Sequence, residues 1–163
     1  MPFILKNAIL IALIASLGTL ATVFVAQYGF GLKPCVLCVY QRWPYAAIIA
    51  LAILAYFLRG KIADVYFKGA IALSFAVTAG IGAFHVGVEK GWWEGSAECT
   101  ADTSNAVSLA DLKAQILSAP LIKCDEVAWE LFGISMAGYN FLFASGMVLL
   151  MLLSIVMTSE KRV

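Results

Sequence analysis

The chain has 163 residues, 63% of them hydrophobic and 13% charged, with a formal net charge of +1. Soluble domains run nearer roughly 45–50% apolar and 25% charged, so a soluble core of this size could not hide so much apolar surface. The near-neutral balance, with no basic stripe, excludes nucleic acid as an expected partner and leaves the bilayer as the solvent.

Four segments are apolar over the about 20 residues that a helix needs to cross about 30 Å of hydrocarbon. They run roughly 8–27, 39–58, 67–88 and 138–157. The ten-residue alternation of a membrane β-barrel is not visible. The expected fold is an all-α membrane protein: a four-transmembrane-helix bundle in one domain, 1–163, without linker, repeat or low-complexity segment. The first span follows Lys6 as a signal peptide might, but its apolar stretch exceeds the usual length and no A-x-A cleavage site follows. It is read as a retained span.

Between the first two spans, about 28–38, stands Lys33-Pro34-Cys35-Val36-Leu37-Cys38. Arg42 follows one turn after Cys38, on the same helix face by its i,i+4 spacing. Arg42 lies 17 residues before Arg59, which marks the far end of span two, and His85 lies 17 residues after Lys68 in span three. At 1.5 Å per residue both sit about 25 Å from the inner boundary. Arginine alone reads equally as a snorkelling side chain, and histidine alone as a hydrogen-bonded packing residue. Beside a thiol at one depth they read as a site, because ionisable groups at membrane depth are functional candidates. Gly80, Gly82, Ala83 and Gly87 thin span three near His85, either for close helix approach or to admit a flat ring.

The segment between spans three and four, about 89–137, holds Cys99 and Cys124. Within it Ser108-Leu109-Ala110-Asp111, followed by Leu112 and Ile116, has a capping-box-like start and helical apolar spacing. A short amphipathic helix is expected there, lying on the membrane surface or on top of the bundle.

Charge orients the bundle. Lys6, Arg59, Lys61, Lys68, Lys161 and Arg162 fall at the two termini and between spans two and three, whereas the stretch from Glu89 to Phe132 carries eight of the ten acids. The positive-inside rule then puts both termini in the cytoplasm and the loops 28–38 and 89–137 outside. All four tryptophans lie toward that outer side, and so do all four cysteines, in the compartment where disulfides persist.

Three connectivities are open to four cysteines. A bridge across C-x-x-C closes too small a loop to stabilise much, which favours redox chemistry over a purely structural staple. A thiolate there would gain from the helix N-terminus. A zinc site is the other alternative, although 60 residues separate the pairs and 24 lie between Cys99 and Cys124, unlike the usual compact ligand pairs; no metal is expected. Val39 after the second cysteine excludes c-type haem attachment. A lipid-soluble two-electron acceptor could reach this depth laterally, and a quinone fits that description.

Over nearly its whole length the chain resembles the disulfide bond formation protein B family, DsbB. The resemblance rests on the four spans, on PCVLC-x-x-QR at the second, and on two further loop cysteines with KCDEVAWELFGISM leading into the fourth. Vitamin K epoxide reductases share the bundle but place the loop cysteines before the C-x-x-C. The resemblance implies a bacterial inner-membrane thiol:quinone oxidoreductase. Such an enzyme reoxidises a DsbA-like periplasmic thioredoxin-fold oxidase and uses ubiquinone or menaquinone. It further implies that Cys99 forms the mixed disulfide with that partner and that Cys124 then attacks Cys35. Cys38 would be freed as the thiolate that meets the quinone, with Arg42 and His85 at the quinone site. Gln41 stands where that family commonly has glutamate. Against this reading stands a structural tetraspan protein whose disulfides only brace its outer loop.

Overall fold

A computed structural model describes residues 3–96, 99 and 123–159. A four-residue helix, α1 (Phe3–Lys6), precedes α2 (Ala8–Gly29). The second crossing is built from α3 (Val36–Tyr40) and α4 (Arg42–Phe57), the third is α5 (Asp64–Glu89) and the fourth is α6 (Met136–Ser159). The four helical stretches Ala8–Gly29, Val36–Phe57, Asp64–Glu89 and Met136–Thr158 are long and apolar enough to cross a membrane. The architecture is a mostly helical, four-span bundle. The amphipathic helix expected near Ser108 lies outside the described residues.

Helix α5 is the central element. Half of its apolar stretch is buried by the other helices, against 17% for α2, and it packs chiefly on α6 and then on α4. Tyr45, Ile48, Ile71, Phe75, Met147 and Met151 form the core, with Ala8, Ala12, Ala72, Ala79 and Ala144 filling the close approaches. Tyr45 meets Phe75 edge-to-face, centroids 6.0 Å apart, a favoured aromatic geometry. Lipid tails are as apolar as these side chains, so small residues that let backbones approach hold such a bundle together. At Gly82 a Cβ would stand 3.2 Å from the Phe141 amide nitrogen and 3.3 Å from the Ala137 carbonyl; this glycine is where α5 meets α6. Gly80 has open space around its α-carbon. Gly87 does admit a flat ring, but an internal one: the Trp93 indole lies where a Gly87 Cβ would be, 1.9 Å away.

Three local features of the backbone aim the outer end. The second crossing is interrupted at Gln41, between α3 and α4, because Pro44 lacks an N–H and cannot donate to the preceding turn. Beside this break, Thr78 Oγ1 donates to the Gln41 carbonyl at 3.0 Å. At its C-terminal end α5 stops at Lys90, with Gly91 at φ 67°. The amide of Trp92 donates to the Gly87 carbonyl and that of Gly91 to Val88, the paired bonds of a Schellman cap. This turn brings Trp93 back onto Gly87, where its Nε1 donates to the Phe84 carbonyl at 2.9 Å.

The third feature is a small antiparallel hairpin, β1 (Glu130–Leu131) with β2 (Ile134–Ser135), which leads into α6 and is not visible as hydrophobic alternation. Its two-residue turn has positive φ at both Phe132 (52°) and Gly133 (74°), the type I′ pattern that matches the twist of the strands.

Candidate functional site

Proline 34 and the extended backbone of Cys35 start α3, so that Cys35 takes the N-cap seat. Its Sγ accepts the Cys38 backbone N–H at 3.2 Å. The side chains of Cys35 and Cys38 are unbridged, and their sulfurs lie 2.7 Å apart. From α5, His85 brings Nε2 to 3.5 Å from Cys35 Sγ. The ligand atoms of Cys35, Cys38 and His85 all fall within 4.8 Å of one another. These are donor types that zinc also uses, though a closed site needs a fourth ligand.

Cys35 lies just before the second membrane span, and its thiol is pulled well below the ordinary range. The hydrogen bond with the Cys38 thiol is the largest cause; burial opposes it, and His85 and the Cys38 amide reinforce it. The N-terminal turn thus favours a charge on Cys35, the cysteine that caps it.

The second pair is bridged: Cys99 and Cys124 form a disulfide with Cα atoms 5.1 Å apart. It is packed into one buried cluster with Cys35, Leu37 and Val88, and neither cysteine is more than 2% exposed. Ser96 Oγ donates to Cys99 Sγ at 3.4 Å. All four cysteines therefore meet at one end of the bundle, with His85 among them.

Arg42 is placed differently from its neighbours. Its Nη1 donates to Gln27 Oε1 at 2.7 Å, and its guanidinium lies over the Phe24 ring, 5.4 Å from the centroid, within cation–π range. It shares a cavity wall with Cys35, Cys38, Gln41 and His85. That cavity, about 1200 Å³, runs between α2 and α6, which touch only lightly. Its length is apolar, with Leu20, Val23, Ala26, Met136 and Phe143 on the walls, and its polar groups gather at the cysteine end. An apolar cleft with a few convergent polar groups is the usual form of a small-molecule site. This one is large enough for a lipid-soluble ring with a chain attached.

Of four further residues here, Asn140, Glu89 and Ser135 carry no sequence motif, while Gln41 stands in the cysteine motif without a site role read from it. Gln41 Nε2 lies 3.0 Å from His85 Nδ1, and Asn140 Nδ2 donates to Gln41 Oε1 at 2.7 Å. Glu89 Oε1 is 3.8 Å from His85 Nε2, and Ser135 donates to Glu89. Glu89, at i+4 from His85, was the one that helical spacing could have found.

Comparison with known proteins gives a consistent picture. The family model described as "Disulfide bond formation protein DsbB" matches residues 5–154. A Pseudomonas savastanoi protein named disulfide bond formation protein B 2 is 31% identical over 86% of this chain and 82% of its own. A Verminephrobacter eiseniae protein named disulfide bond formation protein B is 33% identical over 86% and 81%. An uncharacterised Rickettsia prowazekii protein is 31% identical over 83% and 78%. No solved structure matches the chain.

Proposed function

Because the chain belongs to the disulfide bond formation protein DsbB family, and so to the membrane proteins of disulfide bond formation, we propose that it is a thiol:quinone oxidoreductase. In this reading it reoxidises a DsbA-like thioredoxin-fold oxidase and passes the electrons to ubiquinone or menaquinone. It works in the bacterial inner membrane as a single domain, with both termini cytoplasmic and the cysteine-bearing loops periplasmic. The observation that carries the reading is the meeting of two cysteine pairs at one end of an apolar cavity: Cys35 and Cys38 line it, and the Cys99–Cys124 disulfide packs with Cys35.

The relay starts from the form in which both pairs are bridged. A thiolate of the partner attacks Cys99 Sγ; the Cys99–Cys124 bond breaks and its electron pair leaves on Cys124. Cys124 then attacks Cys35 Sγ; the Cys35–Cys38 bond breaks and the pair leaves on Cys38. Charge on Cys38 arises at the cavity wall, one turn from the Arg42 cation. Cys99 is buried in one cluster with Cys35, Leu37, Val88 and Cys124, so the partner must open that packing to reach it, which favours a protein donor over a small thiol.

A quinone, when bound, would supply the acceptor for two electrons and two protons. The residues fit it: an apolar slot for the chain, with Arg42, His85 and Cys38 around the head. The energetics require such an acceptor. A DsbA-type oxidase has a potential near −120 mV, and about 30 mV is worth about 1.4 kcal/mol for a two-electron couple, so a glutathione-like disulfide would reoxidise it poorly.

Trapping tests the first exchange. From the form with both pairs bridged, a reduced DsbA-like oxidase that lacks its resolving cysteine should leave a disulfide to Cys99, with the displaced Cys124 transferred to Cys35, and peptide mass mapping detects both. Absence of any mixed disulfide, with the same donor trapped by another oxidant, would contradict the proposed route.

A further inference from the structure

We infer that a hydrogen-bond chain through Asn140 and Gln41 sets the tautomer of His85, leaving Nδ1 bare and turning the Nε2 proton toward Cys35, so that Gln41 is a positioning residue of the thiol site. The inference rests on the reading of Cys35 as a redox cysteine.

The polarity of each link is forced by the one before it. A backbone carbonyl can only accept, and the Thr78 carbonyl lies 3.3 Å from one end of the Asn140 amide; that end is Nδ2. Thr78 Oγ1 gives its own proton to the Gln41 carbonyl, so toward Asn140 Nδ2, 3.2 Å away, it accepts. The other end of Asn140 is then Oδ1, and the Tyr45 hydroxyl donates to it at 2.5 Å. Asn140 Nδ2 also donates to Gln41 at 2.7 Å, which makes that atom Oε1. Gln41 therefore turns Nε2 to His85, and its N–H meets Nδ1 at 3.0 Å. A ring nitrogen that accepts carries no proton, so neutral His85 holds its proton on Nε2.

Among the described residues, the groups facing Nε2 suit a donor there: Cys35 Sγ lies at 3.5 Å and the Glu89 carboxylate at 3.8 Å. Gln41 is 7% exposed and His85 3%, so water does not compete for either ring nitrogen, and a satisfied buried network holds one arrangement. The functional consequence follows from charge. When Cys35 carries an electron pair, the Nε2–H is already aimed at it, and no proton need be transferred. The opposite tautomer would turn a lone pair toward the thiolate. Among the described residues, the titratable groups facing His85 are Cys35 and Cys38 from the start of the second crossing and Glu89 from its own helix; Gln41, Thr78 and Asn140 are uncharged.

His85 is the chain's one histidine, so ¹⁵N-histidine labelling reports on it alone. Long-range ¹H–¹⁵N correlation spectra of the reduced protein in detergent should show an unprotonated Nδ1 and a protonated Nε2. A neutral ring protonated at Nδ1 would overturn the inference. Gln41→Leu removes the donor and should mix the tautomers, while Gln41→Glu offers a carboxylate and should hold His85 as imidazolium to higher pH. In Gln41→Leu the alkylation of Cys35 below the ordinary thiol range should slow by about tenfold, the loss of a charge-assisted hydrogen bond; an unchanged rate would also overturn it. The NMR readout needs no turnover. A protein that relays electrons with an Nδ1-protonated His85 refutes this inference and leaves the proposed function standing. An Nε2-protonated ring in a protein without relay activity supports the inference and refutes that function.

Discussion

Cys35 Sγ accepts the backbone N–H of Cys38 at 3.2 Å and lies 2.7 Å from the Cys38 sulfur. One cysteine caps the helix and the other sits inside its first turn, so the two thiols are chemically unequal before any partner binds. In the reduced pair the cap seat favours a charge on Cys35; in the proposed relay Cys38 takes the charge when Cys35 is held in another disulfide.

The first prediction concerns pH. The Cys35 pKa is depressed in the folded protein, which stabilises the reduced pair. That stabilisation is complete above the ordinary thiol pKa of about 8.5 and is lost as pH falls through the depressed value. Cys35 should therefore keep nearly its full iodoacetamide reactivity at about two units below that ordinary value. A rate that falls about a hundredfold over those two units, as for an ordinary thiol, would contradict the assignment.

Arg42 reaches over Phe24 to Gln27 along the cavity wall, so its removal should be felt by what occupies the cavity. Arg42→Ala should raise the KM for quinone by about tenfold, a typical loss for a charged hydrogen-bond donor, with the KM for the thiol donor unchanged. A rise confined to the donor KM would count against a quinone role.

Gly82 sets the distance between α5 and α6. A methyl group there meets backbone atoms of Phe141 and Ala137, and Asn140 Nδ2 at 3.3 Å. Backbone does not yield as a side chain does, and overpacking of this kind costs about 1–3 kcal/mol. Gly82→Ala should lower the melting temperature in detergent and disturb the His85 ring signals, whereas Gly80→Ala, which meets nothing within 4 Å, should do neither. Identical melting of the two variants would argue against the close approach.

The bundle was legible in the sequence because a membrane span is declared locally, by length and hydropathy. The outer hairpin was not: its turn is Phe132-Gly133, and phenylalanine at positive φ lacks the Asn-Gly signature by which such turns are read. The break at Gln41 had a visible cause in Pro44, but proline-interrupted helices also run on through a kink. At the site, Cys35, Cys38 and Arg42 stood together in a short motif, and matching depth linked His85 to Arg42. The two share the cavity wall without touching the same partners. Gln41, Thr78 and Asn140 are single polar residues in three different spans. Only tertiary packing makes them neighbours; Gln41 stands in the cysteine motif, but no local pattern distinguishes Thr78 and Asn140 from polar residues that face a headgroup.

The most direct test of the relay is quinone reduction by the purified protein in detergent, with a reduced DsbA-like oxidase as donor and quinone absorbance as readout. The account predicts turnover that disappears in both Cys38→Ser and Cys99→Ser. Full turnover in either variant would break the proposed electron route. An intact, quinone-supplied protein that reduces no quinone with this donor or with a small dithiol would contradict the account and favour a bundle whose disulfides only brace its outer loop.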